Sequence, residues 1–172
     1  MDVKTLIKKA KFGDKNAFQI LIGQERNKLY RIAYLYVRNE HDALDVVQEC
    51  IIKAYSSIKN LNEETYFSSW ITKILINTAL DFIKKNRRTF NVTNNDTFLE
   101  KNSATTEESI DLLEAIKKLE DPYKTIIILR FYQDFKIKDI ADFLKMPDGT
   151  IKTYIHRALR KLKKDLREEY LQ

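Results

Sequence analysis

The stretch MPDGTIKTYIHRALRKLKK, residues 146–164, concentrates charge of a single sign. Lys152, His156, Arg157, Arg160, Lys161, Lys163 and Lys164 follow one another with no acid between Asp148 and Asp165. A solvated helix normally mixes its signs, because like charges at i,i+4 repel and opposite ones help. The chemistry such a face can do is to bind an anion, and phosphate is the expected one. Gly149 permits a close backbone approach, and the N–H groups that follow Asp148-Gly149-Thr150 open a helix whose start can hold a phosphate. A second basic cluster is Lys84-Lys85-Asn86-Arg87-Arg88, while the first 80 or so residues are mixed in sign.

Two helices must position the first of these faces. Lys136–Leu144 and Gly149–Lys164, joined by KMPD, have the dimensions of a helix-turn-helix. Ile140, Ala141 and Leu144 are expected to face inward on the first helix, with small Ala141 allowing a close approach. On the second, Ile151, Ile155, Leu159, Leu162 and Leu166 are the expected buried stripe. That phase turns Lys152, Thr153, His156, Arg157, Arg160 and Lys164 outward. A helix of this kind can lie in the major groove, its N-terminal residues toward base edges and later ones toward phosphates. Lys145 stands where such turns often need a positive φ; adopting one costs on the order of 1 kcal/mol.

The rest of the chain reads as helix as well. Its 172 residues are 44% hydrophobic and 33% charged, with three glycines, two prolines and a net charge of +6. That composition describes a globular protein, not a disordered tail. Apolar residues recur at helical spacing over about 3–11, from Asp14 through Tyr36, from His41 to Lys59 and from Tyr66 to about Arg88. The fourth of these segments is expected to bury Trp70, Ile74, Ala79, Leu80 and Ile83. Residues 89–105, TFNVTNNDTFLEKNSAT, show no period, and their Asn, Asp and Thr side chains compete for backbone hydrogen bonds. They read as a linker between two all-α domains, 1–88 and 106–172. The second domain opens on a capping-box-like Thr105-Thr106-Glu107-Glu108, and a further helix is expected with Pro122 at its first position.

Several function classes are set aside. No apolar run reaches the 18 or so residues of a membrane span, and the opening MDVKTLIKK has no signal-peptide core. The expected location is therefore the cytoplasm, without membrane insertion. The single cysteine, Cys50, cannot form an internal disulfide and falls on an apolar face. Two distant histidines and one cysteine make no zinc site, and neither a Gly-rich phosphate loop nor a Ser-His-Asp order is present. The expectation is a protein that is not an enzyme and uses no metal or cofactor.

The first domain narrows the reading. DVVQECIIKAY (45–55), then FSSWITKILINTALDFIKKNRR (67–88), then a linker and a helix-turn-helix containing Gly149-Thr150-Ile151-Lys152-Thr153, closely resemble the sigma factors of bacterial RNA polymerase in the extracytoplasmic-function group. The ordered set spans perhaps 150 residues. The resemblance implies a stress-response type of alternative sigma factor, which directs core polymerase to promoters through −10 and −35 elements and helps melt them. It implies that Asp45, Gln48, Glu49 and Ile52 dock on the β′ clamp helices, with the β flap as a second polymerase contact. It lays the fourth helix against the −10 element, with Asn77 toward a base edge, Lys84, Arg87 and Arg88 toward phosphates, and Asp81 orienting its basic neighbours. The loop 59–65 would capture an unpaired base through Asn60 or Asn62, with Tyr66 or Phe67 stacking on it, although Glu63 and Glu64 weaken phosphate attraction there. At the −35 element it implies Gly149, Thr150, Lys152, Thr153, His156, Arg157, Arg160, Lys161 and Lys164. An anti-sigma factor is a further implied partner, covering the Asp45–Ile52 patch or the basic helices. From the residues alone, a free-standing helix-turn-helix regulator, or an adaptor that binds polymerase without reading DNA, stays open.

Overall fold

In a computed structural model of the chain, residues 2–62, 66–89 and 107–169 are described. The expected linker 89–105, the loop residues 63–65 and the Thr105-Thr106 start of the capping box lie wholly or almost wholly outside them. The chain divides into two compact units, Met1–Thr97 and Phe98–Gln172. Every regular element among the described residues is helical.

The first unit holds α1 (Val3–Lys11), α2 (Lys15–Val37), α3 (Glu40–Ser57), a 3-10 turn (Ile58–Asn60) and α4 (Phe67–Thr89). Side-chain caps begin the first three. Asp2 accepts from the N–H groups of Lys4 and Thr5, Asp14 from Ala17 at 3.0 Å, and Asn39 from Asp42 at 3.0 Å. Each satisfies backbone donors that have no partner inside the helix. α2 ends on Arg38 in the left-handed region, φ 58°, its N–H donating to the Tyr34 carbonyl. α2 packs on α1, α3 and α4, and α3 on α4. Ile7, Leu21, Leu29, Ile32, Val46, Ile71, Leu75 and Ile76 fill the core between them.

The apolar stripe expected for α4 is out of phase. Ala79 is buried, but Trp70, Ile74, Leu80 and Ile83 are only half-buried, and the core takes Ile71, Thr72, Leu75, Ile76 and Thr78 instead. α4 packs against both α2 and α3, so its buried sector is wide. Two threonines fit inside it because their hydroxyls donate to the Ser68 and Ile74 carbonyls one turn back, at 2.8 Å each.

The second unit holds α5 (Glu107–Lys118), α6 (Tyr123–Ile127), which continues as a π-helical segment over Ile128–Tyr132, α7 (Ile137–Leu144) and α8 (Asp148–Glu169). Pro122 sits one residue earlier than expected, at the cap of α6, where its carbonyl accepts from the Ile126 N–H at 3.0 Å. α8 packs on α5, α6 and α7. Its buried side is Ile151, Ala158 and Leu162, with Ile155 and Leu166 half-covered. Leu159, expected in that stripe, is 42% exposed. The buried line runs 151, 155, 158, 162 at alternating steps of four and three, which leaves position 159 at its edge. On α7, Ile140 and Ala141 are buried and Leu144 half-buried. No helix among the described residues is long and apolar enough to cross a membrane.

Candidate functional site

α3 presents the first candidate surface. With Ala43, Val46, Val47, Cys50 and Ala54 turned inward, Asp45, Gln48, Glu49 and Ile52 all face solvent. Ile52 is 66% exposed, and Leu44 and Tyr55 are exposed beside it. Positions 44, 48, 52 and 55 follow one another at helical steps, so they form one line along the helix. Leu44 and Tyr55 escaped the sequence reading, although their spacing from Ile52 carried the signal. The Tyr55 ring stands edge-on to Phe18 at 5.1 Å, which fixes it. Glu49 pairs with Lys53 at 2.8 Å, and Lys53 also donates to the Thr78 hydroxyl of α4 at 3.3 Å. Burial, and secondarily the charge of Asp45, raise the pKa of neighbouring Asp42, against the pull of His41. An apolar line rimmed by acids suits a protein partner that offers apolar and basic side chains.

The second surface is α4 with the turn before it. Asn77, Asp81 and Lys84 are exposed at helical steps along one side. Arg87 and Arg88 belong to the last turn of α4, and their side chains lie outside the described residues. In the turn, Leu61 is buried and Asn60 and Asn62 are exposed. Tyr66 is 58% exposed and available to stack, but Phe67 is not: it is 3% exposed, its ring 5.9 Å from that of Trp70. A ring so covered offers no face to an unpaired base, and Phe67 leaves the candidate set. Trp70 is neither fully core nor a free platform; it is half-buried against Phe67.

The third surface is α8. Gly149, Lys152, Thr153, His156, Arg157, Arg160, Lys161 and Lys164 are exposed, and Thr150 is half-buried. The helix begins at Asp148, one residue before the expected Gly149. The Pro147 carbonyl already accepts from the Thr150 and Ile151 N–H groups, at 2.9 and 3.1 Å. The Ile151 bond is the ordinary first bond of the helix, but the Thr150 N–H is a first-turn donor used internally, and Asp148 adds a negative charge there, so this helix start is a weaker phosphate seat than expected. The Thr153 hydroxyl donates to the Gly149 carbonyl at 3.0 Å, leaving its oxygen free to accept. Lys161 turns sideways, its ammonium 4.8 Å over the Tyr123 ring, which in turn lies 5.1 Å from Tyr154. Tyr154 therefore fastens α8 to the α6 side of the unit. Lys145 takes the left-handed conformation, φ 54°, its N–H donating to the Ala141 carbonyl.

The described surfaces are an acid-rimmed apolar line and a polar α4 side on one unit, and a cationic helix face on the other. Comparison with known proteins gives the same division. Residues 21–89 match the family model of Sigma-70 region 2, and residues 109–162 that of Sigma-70 region 4. The chain is 40% identical over 152 residues to the RNA polymerase sigma factor SigV of Bacillus subtilis (strain 168), covering 87% of this chain and 91% of that one. It is 30% identical over 184 residues to the ECF RNA polymerase sigma factor SigW of the same organism, covering 98% of each. Among solved structures it resembles the sigma factor RpoE of Bartonella quintana, in complex with the anti-sigma factor NepR, with a TM-score of 0.71 at 20% identity over 87% of this chain and 96% of that one. CnrH, in complex with the cytosolic domain of CnrY, gives 0.69 at 20% identity over 96% and 97%. At that identity the two structures speak to the fold.

Proposed function

The chain belongs to the sigma-70 family, among the extracytoplasmic-function sigma factors of bacterial RNA polymerase, and from that premise we propose how its surfaces divide the work. The α3 line of Asp45, Gln48, Glu49 and Ile52, widened by Leu44 and Tyr55, docks on the β′ clamp helices. The α4 side, with Asn77 and Lys84 and the arginines at 87 and 88, follows the −10 element. Asn60, Asn62 and Tyr66 take the unpaired base. The α8 face reads the −35 element, with Thr153, His156 and Arg157 at base edges and Lys152, Arg160 and Lys164 at phosphates. A bidentate Arg157–guanine contact discriminates by about 1–3 kcal/mol. The protein catalyses nothing itself; it works in the cytoplasm by lending promoter specificity to the core enzyme, and binding free energy drives the melting. An anti-sigma protein, the kind of partner bound to RpoE in its solved complex, is the expected regulator.

The observation that carries this reading is the pairing, in one chain, of an acid-rimmed apolar patch on one compact unit with a basic recognition face on another. The test is in vitro transcription with purified bacterial core polymerase on a promoter-rich genomic library, with wild-type protein, Glu49→Lys and Arg157→Ala. Discrete new start sites are expected, lost with Glu49→Lys and weakened or redistributed with Arg157→Ala. Specific duplex binding by the protein alone, without new starts, would instead make it a free-standing regulator.

A further inference from the structure

At the corner between α1 and α2 stands Phe12, 92% exposed. An exposed phenylalanine is unremarkable where the chain is loose, but this one is fixed. Its N–H donates to the Lys8 and Lys9 carbonyls at 3.2 and 3.1 Å, and Gly13, at φ +95°, closes the turn behind it. Gly13 and Asp14 donate back to the Ala10 and Lys9 carbonyls, at 3.0 Å each. The ring therefore projects from a rigid, hydrogen-bonded corner. Around it lies a shallow depression of about 450 Å³ lined by Lys8, Lys11, Phe12 and Lys59. Among the described residues no acid lines it, and Asp14, the acid nearest Phe12 along the chain, has its carboxylate engaged in capping α2; Glu63 and Glu64, which follow the turn, lie outside the described residues.

The corner is also tied to the turn before α4. The Lys11 ammonium donates to the Leu61 carbonyl at 2.8 Å, and Lys59 belongs to that turn, beside Asn60. An exposed ring among lysines is the composition of a single-stranded nucleic-acid platform: the ring stacks on a base and the ammonium groups meet the flanking phosphates. A duplex has its bases stacked internally and cannot use such a ring.

We propose that Phe12, Lys8 and Lys59 form a second single-strand DNA contact, which holds a base adjoining the one taken by the Asn60–Asn62 turn. The site rests on the reading of that turn as the base-capturing element. It adds a stacking platform supplied by α1, outside the matched region 2 span of residues 21–89.

The test uses the full chain and a fluorescein-labelled 12-nucleotide oligothymidylate at low salt, with a duplex of equal length for comparison. Phe12→Ala and Phe12→Leu are each expected to weaken single-strand binding about tenfold, Phe12→Trp to preserve it, and the duplex to be unaffected. Lys8→Gln and Lys59→Gln should weaken it too, each flattening the salt dependence by roughly one phosphate contact. Because Phe12 is almost wholly exposed, its variants should melt like wild type. Equal binding by wild type and Phe12→Ala overturns the proposal. So does no single-strand binding by wild type, a Phe12→Leu variant that binds fully, or an equal loss on single strand and duplex. A parallel measurement counts open complexes formed by holoenzyme on a promoter found in the transcription screen; fewer are expected with Phe12→Ala. Normal initiation with unchanged oligonucleotide binding sinks the platform and spares the sigma reading. An absence of starts with wild-type holoenzyme sinks that reading, while the oligonucleotide series still decides the platform.

Discussion

Cys50 shows how far a single position is governed by its surroundings. It is fully buried on α3, its thiol directed at the Ile71 carbonyl 3.7 Å away. Burial pushes its pKa from 9.0 up to about 12, against a small opposing pull from Lys53. The unfolded chain therefore loses this proton first. The contribution to stability is whole below pH 9 and declines as pH rises from 9 toward 12. By pH 10 the loss is on the order of 1 kcal/mol. Urea midpoints between pH 8 and 10.5 should fall less steeply for Cys50→Ala than for wild type, and parallel slopes would show that the thiol carries none of the dependence. The same burial makes this thiol inert to alkylation until the unit opens, which argues against a redox-sensing role. Glu49 contrasts with it. Its 2.8 Å pair with Lys53 is exposed on both sides, so it adds little to stability and leaves the carboxylate accessible to a docking partner.

Among the elements, the turn between α7 and α8 holds an avoidable strain. Lys145 sits at φ 54°, and a left-handed residue with a Cβ costs about 1–2 kcal/mol, whereas glycine adds about 0.5–1 kcal/mol of unfolded-state entropy. Lys145→Gly should thus raise stability by up to about 1 kcal/mol, measured by urea titration. Arg38 after α2, at φ 58°, should respond alike. A destabilised Lys145→Gly would mean that the lysine side chain contributes more than its backbone costs. The turn was legible in the sequence because its spacing between two amphipathic segments is fixed, and α1 and α7 run over the residues their periodicity predicts. α4 was not, since Thr72 and Thr78 count as polar in a pattern but bury once their hydroxyls bond the preceding turn. The π-helical Ile128–Tyr132 has no sequence signal of its own; its run of apolar residues fits an ordinary helix equally well. For the candidate site, exposure of the α8 cations followed from charge spacing alone. Adjacent Tyr66 and Phe67 could not be told apart, because one step along a helix start decides which ring is covered.

For the whole molecule, the decisive fact is that two compact units with their own cores share one chain. Each basic face is small. Neutralising about five phosphates gives a log–log salt slope near −4.5, so affinity falls several-hundredfold between about 50 and 200 mM salt. Neither unit alone holds DNA well under such conditions. With the α3 patch docked as proposed, joining the units in one chain makes the second contact intramolecular, at an effective concentration of about 1 mM when the connection is short. Separate fragments 1–97 and 98–172, added together at about 1 μM, forgo that gain of roughly a thousandfold. Each fragment should keep its helical circular-dichroism signal, and the pair should still yield start sites reduced a hundredfold or more relative to the intact chain. Raising only the 98–172 fragment should then recover initiation in proportion, until it reaches the millimolar range. If the two fragments at about 1 μM initiate as well as the intact chain, the polymerase itself recruits the second unit tightly, and the connection contributes no more than equal stoichiometry.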